Sequence, residues 1–120
     1  MDTNTVSDYL SRNLSPEAMQ YLHGIVNSTP QISVMTRIEL LSYLSPTIEI
    51  IRNFAGYATI FDMTEPIIVR AIALRRSRRI KIPDAIIAAT ALEYDLTLIT
   101  HNTSDFQGIP NLKLLDAHSL

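Results

Sequence analysis

The sequence predicts an α/β fold of three layers, with helices on both faces of a central parallel sheet of four to five strands. Three observations carry that expectation. Short β-branched runs alternate with longer helical patterns along the whole chain. The runs are mostly apolar from end to end, as strands covered on both faces are. The 120 residues contain no repeat, low-complexity stretch or linker, so residues 1–120 read as one domain.

Each element follows from its residues. Val6, Tyr9 and Leu10 fall at helical spacing within residues 4–13, a short first helix. Ser15-Pro16-Glu17 starts a second one with a capping hydroxyl, a proline at the first helical position and a first-turn acid. It runs to about Asn27. Gln31-Ile32-Ser33-Val34-Met35 reads as a strand. Thr36, with Glu39 three residues on, opens a helix carrying Leu40, Leu41, Tyr43 and Leu44. Pro46 starts the next, with Ile50, Ile51 and Phe54 on one face and an end near Gly56. Thr59–Met63 is the second strand. Thr64-Glu65-Pro66 begins a helix to about Arg79, and another spans Pro83 to Glu93. Leu96–Thr100 and Leu112–Leu115 are the last two strands.

Composition narrows the function classes. Apolar residues are 47% and charged residues 18%, the profile of a packed domain rather than a disordered one. The absence of cysteine excludes disulfides, thiolate metal sites and thiol nucleophiles. No apolar run reaches the ~20 residues of a membrane span, and Met1-Asp2-Thr3-Asn4 lacks the pattern of a signal peptide, so a cytoplasmic protein is expected. Three glycines leave no phosphate-binding loop, and no Gly-x-Ser-x-Gly elbow is present.

Open parallel sheets bind ligands beyond the carboxyl ends of their strands. The residues there are acidic or polar. Asp2 stands where a first strand would end, Glu39 one turn past the strand at Met35, and Asp84 in the first turn of a late helix. Asn102 and Asp105 follow the strand ending at Thr100. Four carboxylates from four segments raise one another's pKa unless a cation neutralises them. Oxygen donors alone favour Mg²⁺ or Mn²⁺, which act on phosphates. Each acid also has a local reading: Thr36 and Glu39 fit a capping box, Asp84 suits a helix dipole, Asp105 could cap a turn, and Asp2 could be solvated. The set carries the inference, not any one member.

Net charge is −2, which argues against a surface that coats nucleic acid throughout. The charge is unevenly placed. Arg70, Arg75, Arg76, Arg78, Arg79 and Lys81 form a +6 segment beside a −8 remainder. Basic side chains from Arg75 to Lys81 suit an RNA backbone or a partner, against the simpler reading of a solvated helix end. His101 follows the third strand and could reach a phosphate. His23 reads as a surface residue and His118 has no visible partner.

These segments resemble PIN-domain ribonucleases, and VapC-like toxins in particular. Asp2-Thr3-Asn4 is similar to the motif that ends the family's first strand, and Ile32–Leu40 to its second strand and Glu-bearing helix. Arg75–Ala91, above all Pro83-Asp84-Ala85-Ile86-Ile87-Ala88-Ala89-Thr90-Ala91, resembles the Asp-bearing segment, and Leu98–Phe106 the closing acidic motif. The resemblance implies an Mg²⁺- or Mn²⁺-dependent endoribonuclease leaving 5′-phosphate and 3′-hydroxyl ends. It also implies the toxin of a toxin–antitoxin pair, homodimeric and blocked by a small antitoxin. Asp2, Glu39 and Asp84 would be metal ligands and catalytic carboxylates, with Asp105 or Asn102 in the fourth place. Thr3, Asn4 and Thr100 would support the pocket.

Two departures stand out. His101 occupies a place where the family often has arginine, and only Met1 precedes Asp2, so the first strand reads as truncated or its start as misassigned. Two other functions compete: an inactive PIN-like interaction module, and a receiver-type phosphoacceptor domain with Asp62 as acceptor. The second lacks the acidic pair and the loop lysine that such a domain needs.

Overall fold

The structure, a computed structural model, describes residues 1–42 and 45–120. The expected helical positions Tyr43 and Leu44 lie outside the described residues. The elements in order are α1 (Thr3–Leu10), α2 (Pro16–Ser28), β1 (Gln31–Ser33), α3 (Val34–Leu41), α4 (Ile48–Tyr57) and β2 (Thr59–Phe61). They continue with α5 (Glu65–Ser77), α6 (Ile82–Glu93), β3 (Thr97–Ile99), α7 (Thr103–Phe106), β4 (Lys113–Leu115) and a closing 3₁₀ turn at Ala117–Ser119. Neither α7 nor that turn was expected. No helix is long and apolar enough to cross a membrane among the described residues.

The α/β alternation and the parallel pairing hold, but the expectation of one central sheet is corrected. Among the described residues the strands form two separate two-stranded parallel sheets, β1 with β2 and β3 with β4. The physical reason lies in Met1 and Asp2. The Met1 amine donates to the Gln31 carbonyl of β1 at 3.1 Å, and the Asp2 N–H donates to the Ile99 carbonyl of β3 at 3.1 Å. These two residues thus sit between the sheets, one bond to each side. The chain turns into α1 at once, too soon for a ladder to form.

The first strand is also shorter than expected, because Val34 and Met35 belong to α3. Ser33 caps that helix, its Oγ accepting from the Thr36 N–H at 3.1 Å. The expected capping box between Thr36 and Glu39 is therefore absent, and the Glu39 carboxylate is released for other work. Pro46 likewise lies in a turn, with α4 beginning at Ile48. The basic helix α5 stops at Ser77, and Arg78 is extended.

Packing follows the period-2 alternation of the strands. In β3, Leu98 joins the cluster built on α5 and α6, while Ile99 joins the one containing Tyr9 and Leu22 on α1 and α2. Helices therefore cover both faces. The centre of the first cluster is α6, buried at every position from Ala85 to Ala91, as a helix apolar all round must be. Ile32 of β1 and Val6 of α1 anchor the third cluster with Leu40 and Phe54. Burying one such aliphatic side chain is worth about 1.5–3 kcal/mol. This framework holds the segments at the strand ends in place.

Candidate active site

Asp2 is the N-cap of α1, and that role explains how an acid is tolerated at 6% exposure. Its Oδ1 accepts from the Thr5 N–H at 2.9 Å and its Oδ2 from the Thr100 hydroxyl at 2.5 Å. Thr100, fully buried at the end of β3, also accepts from the Asn102 N–H at 3.1 Å. One hydroxyl thus ties the first acid to the loop after β3. Glu39 projects from the last turn of α3, where its Oε1 accepts from the Thr3 hydroxyl at 2.6 Å. Asp84 stands in the first turn of α6, behind Pro83.

Asp2, Thr3, Glu39 and Asp84 line a cavity of about 310 Å³ together with Asn4, Ser42, Ile87, Asn102 and Phe106. The cavity thus gathers Asp2, Glu39 and Asp84 from three segments far apart in sequence, with Thr3, Asn4 and Asn102. Asp105 is exposed on α7 and outside the cavity lining, yet its charge reaches Asp84. Desolvation raises the Asp84 carboxyl above its usual range, and the negative fields of Asp105, Glu39 and Asp2 add to it, with Lys81 opposing. Burial also lowers the Met1 amine to about 6, against the pull of Asp2.

Sequence reasoning did not find Ser42, Ile87 and Phe106. The first two lie three residues after Glu39 and Asp84, on the same helix faces, so helical spacing could have found them. Phe106 belongs to the unexpected α7.

His101 does not line the cavity. Its Nδ1 lies 3.2 Å from Asp116, and its ring is 4.1 Å from that of His118, which does have a partner: Asp8, at 2.8 Å. His23 is exposed and bonded to the Tyr9 hydroxyl at 2.7 Å.

The basic segment divides in two. Arg75 donates to the Ile80 carbonyl at 2.6 Å, and Arg78 straps the loop after α7 through the carbonyls of Gln107 and Gly108 at 3.3 and 3.1 Å. Arg76, Arg79 and Lys81 are exposed. Arg70 pairs with Glu93 at 2.7 Å. Asp62, exposed after β2, is not part of the acidic cavity.

The donor set fits a hard divalent cation: carboxylate, hydroxyl and amide oxygens, and like charges that disfavour one another. Among the described residues, no three of the carboxylates or imidazoles are drawn close enough to grip one ion.

Fold and cavity together define an α/β domain whose strand-end rim collects acids from separate segments. The chain belongs to the PIN domain family, which matches residues 1–112. A toxin–antitoxin complex from Klebsiella pneumoniae contains a chain 30% identical to it. That match covers 97% of this chain and 94% of the other, with a TM-score of 0.73. A DNA-bound VapBC from Salmonella typhimurium is 22% identical over 97% and 95%, at a TM-score of 0.79. VapBC2 from Rickettsia felis, bound to a promoter DNA fragment, is 24% identical over 95% and 94%, at 0.76. At those last two identities the likeness is one of fold. No curated protein sequence matches the chain.

Proposed function

We propose that the chain is a metal-dependent endoribonuclease, the toxin of a toxin–antitoxin pair, cytoplasmic and homodimeric, with a small antitoxin as partner. The observation that carries the reading is the placement of Asp2, Glu39 and Asp84 on the wall of one cavity. The 30% identity to a chain of a toxin–antitoxin complex supports the partner.

In this reading Asp2, Glu39 and Asp84 hold the cation, with Asp105 or Asn102 in the fourth place. Mg²⁺ or Mn²⁺, when bound, supplies polarisation of a phosphoryl oxygen and an activated water near neutral pH. The protein's own contribution is positional. Thr100 and Thr5 fix the Asp2 carboxylate, and Thr3 fixes that of Glu39. Their bonds orient the acids before any ligand arrives. The exposed Arg79 and Lys81 sit just ahead of α6, where they meet an RNA backbone whose scissile phosphate enters beside Asp84. Hydrolysis leaves 5′-phosphate and 3′-hydroxyl ends.

The experiment is cleavage of structured RNA by the purified protein in Mg²⁺, beside Asp84→Asn and beside an EDTA control. Cleavage that needs Mg²⁺ and vanishes in the variant supports the reading. Equal cleavage by both proteins contradicts it, and no cleavage together with no metal binding favours an inactive PIN-like interaction module.

A further inference from the structure

The segment after β3 carries both candidates for the fourth place, Asn102 and Asp105, and the cavity-wall residue Phe106. Its helix, α7, has four residues, too few to hold itself. Thr100 ties down its start through the Asn102 N–H, at 3.1 Å. Its end depends on other contacts. Phe106 and Ile109 are buried in the cluster of α5 and α6. Apolar burial is non-directional, so it keeps the segment down without fixing its orientation. Between those two anchors, Gln107 closes α7 and Gly108 turns the chain at a φ of 82°. Their carbonyls accept from one guanidinium: Arg78 Nη1 donates to Gln107 at 3.3 Å and Nη2 to Gly108 at 3.1 Å. The base of that side chain is itself fixed. The Arg78 N–H bonds to the Leu74 carbonyl of α5 at 3.2 Å, and Arg75 donates to the Ile80 carbonyl at 2.6 Å on the way to Asp84.

We propose that Arg78 is a positioning residue for the cation site: its fork orients α7, and so places Asn102 and Asp105 relative to Asp84. Arg78 Nε is buried with no hydrogen-bond partner among the described residues. An unpaired buried donor is costly, so the guanidinium sits there for its two carbonyl bonds and not for solvation. A planar fork making two bonds sets a direction that a single ammonium does not. Two simpler roles compete: an RNA-backbone contact, as proposed for Arg79 and Lys81, and a strap serving stability alone. Against the first, Nη1 and Nη2 are already engaged by carbonyls. Against the second, the strapped segment supplies cavity wall at Asn102 and Phe106. This role rests on the cation reading proposed above.

The test compares the wild type with Arg78→Ala, Arg78→Lys and, as a control for lost charge, Arg52→Ala. Arg52 pairs with Glu49 on α4 and does not line the cavity. Mn²⁺ binding is followed by electron paramagnetic resonance, amide exchange by NMR, and folding by thermal unfolding. In Arg78→Ala the amides from Asp105 to Gly108 should exchange about 10-fold faster, the factor implied by losing one charge-assisted hydrogen bond. Its Mn²⁺ affinity should fall at least ~10-fold, the scale of losing a group that orients a metal ligand. Arg78→Lys keeps the charge but not the fork, and should behave like Arg78→Ala. Should Arg78→Ala unfold, Arg78→Lys carries both readouts. Arg52→Ala should match the wild type in both. Unchanged exchange from Asp105 to Gly108 in the Arg78 variants would overturn the proposal. So would a lower melting temperature with wild-type Mn²⁺ affinity, or a raised KM for RNA with that affinity intact, since Arg78 would then be a plain strap or an RNA contact. A wild type that binds no Mn²⁺ would overturn this role and the cation reading together, whereas wild-type affinity in the variants overturns this role alone.

Discussion

The Thr100 hydroxyl donates to Asp2 Oδ2 at 2.5 Å, joining residues 98 positions apart. Thr100 is itself held in place, its N–H bonded to the Leu115 carbonyl of β4 at 2.9 Å. Asp2, one residue from the amine, is thereby fixed to the interior of the β3–β4 half of the molecule. Asp2 thus accepts two hydrogen bonds, from Thr5 and Thr100, where Glu39 accepts one, from Thr3.

Thr100→Val should remove that anchor and leave a buried carboxylate with the Thr5 amide. Hydrogen bonds to charged groups are worth about 1.5–3 kcal/mol, and the loss should fall in that range. Urea unfolding should show a lower midpoint with an unchanged slope.

Helix α3 offers a test of which residue caps it. Ser33→Ala should cost about 1 kcal/mol, the usual worth of an N-cap. Glu39→Gln should be close to neutral in the same assay, because Glu39 bonds to Thr3 and not to the helix start. A large loss in Glu39→Gln would restore the capping role.

That contrast marks how far the sequence reaches. Apolar periodicity placed the strands and most helices, because helix and strand spacings differ and proline marks the starts of α2, α5 and α6, though not of α4. The three cavity acids were legible because strand ends are where such folds place ligands. Ser33 was missed as a cap because it sits inside a run that looks extended through Met35. The split into two sheets was missed because it depends on how Met1 and Asp2 bond sideways, which no pattern of spacing records. His101 reads as a pocket residue from position alone, yet Asp116 and His118 engage it from a segment that is close only in three dimensions.

Asp84 should make stability fall with rising pH. Its folded carboxyl is raised by desolvation and then by Asp105, Glu39 and Asp2, above the ordinary 3.8. Between 3.8 and that raised value the folded chain binds more protons than the unfolded, so stability drops as pH climbs through the window. Asp84→Asn should be the more stable protein at neutral pH, and the two should converge below the window. Saturating Mg²⁺ should close the neutral-pH gap by stabilising the wild type alone, by about 2.7 kcal/mol at a hundredfold excess over Kd.

Asp116 should act in the opposite sense. Burial pushes its carboxyl up, but the His118 N–H, the His101 ring and the Ser119 hydroxyl together carry it below 3.8. Its contribution is present above 3.8 and disappears as pH falls through the lowered folded value. Asp116→Ala, which also uncaps the 3₁₀ turn, should cost about 1 kcal/mol at neutral pH and less in acid. Thermal unfolding across the acid range reads both.

Asp2, Glu39 and Asp84 are proposed to act together as one cation site. Mn²⁺ binding, followed by electron paramagnetic resonance on the wild type, Glu39→Gln and Asp84→Asn, tests it most directly. The wild type should bind Mn²⁺, Mg²⁺ should displace it, and each substitution should weaken binding at least ~10-fold. Equal Mn²⁺ affinity in all three proteins would contradict it.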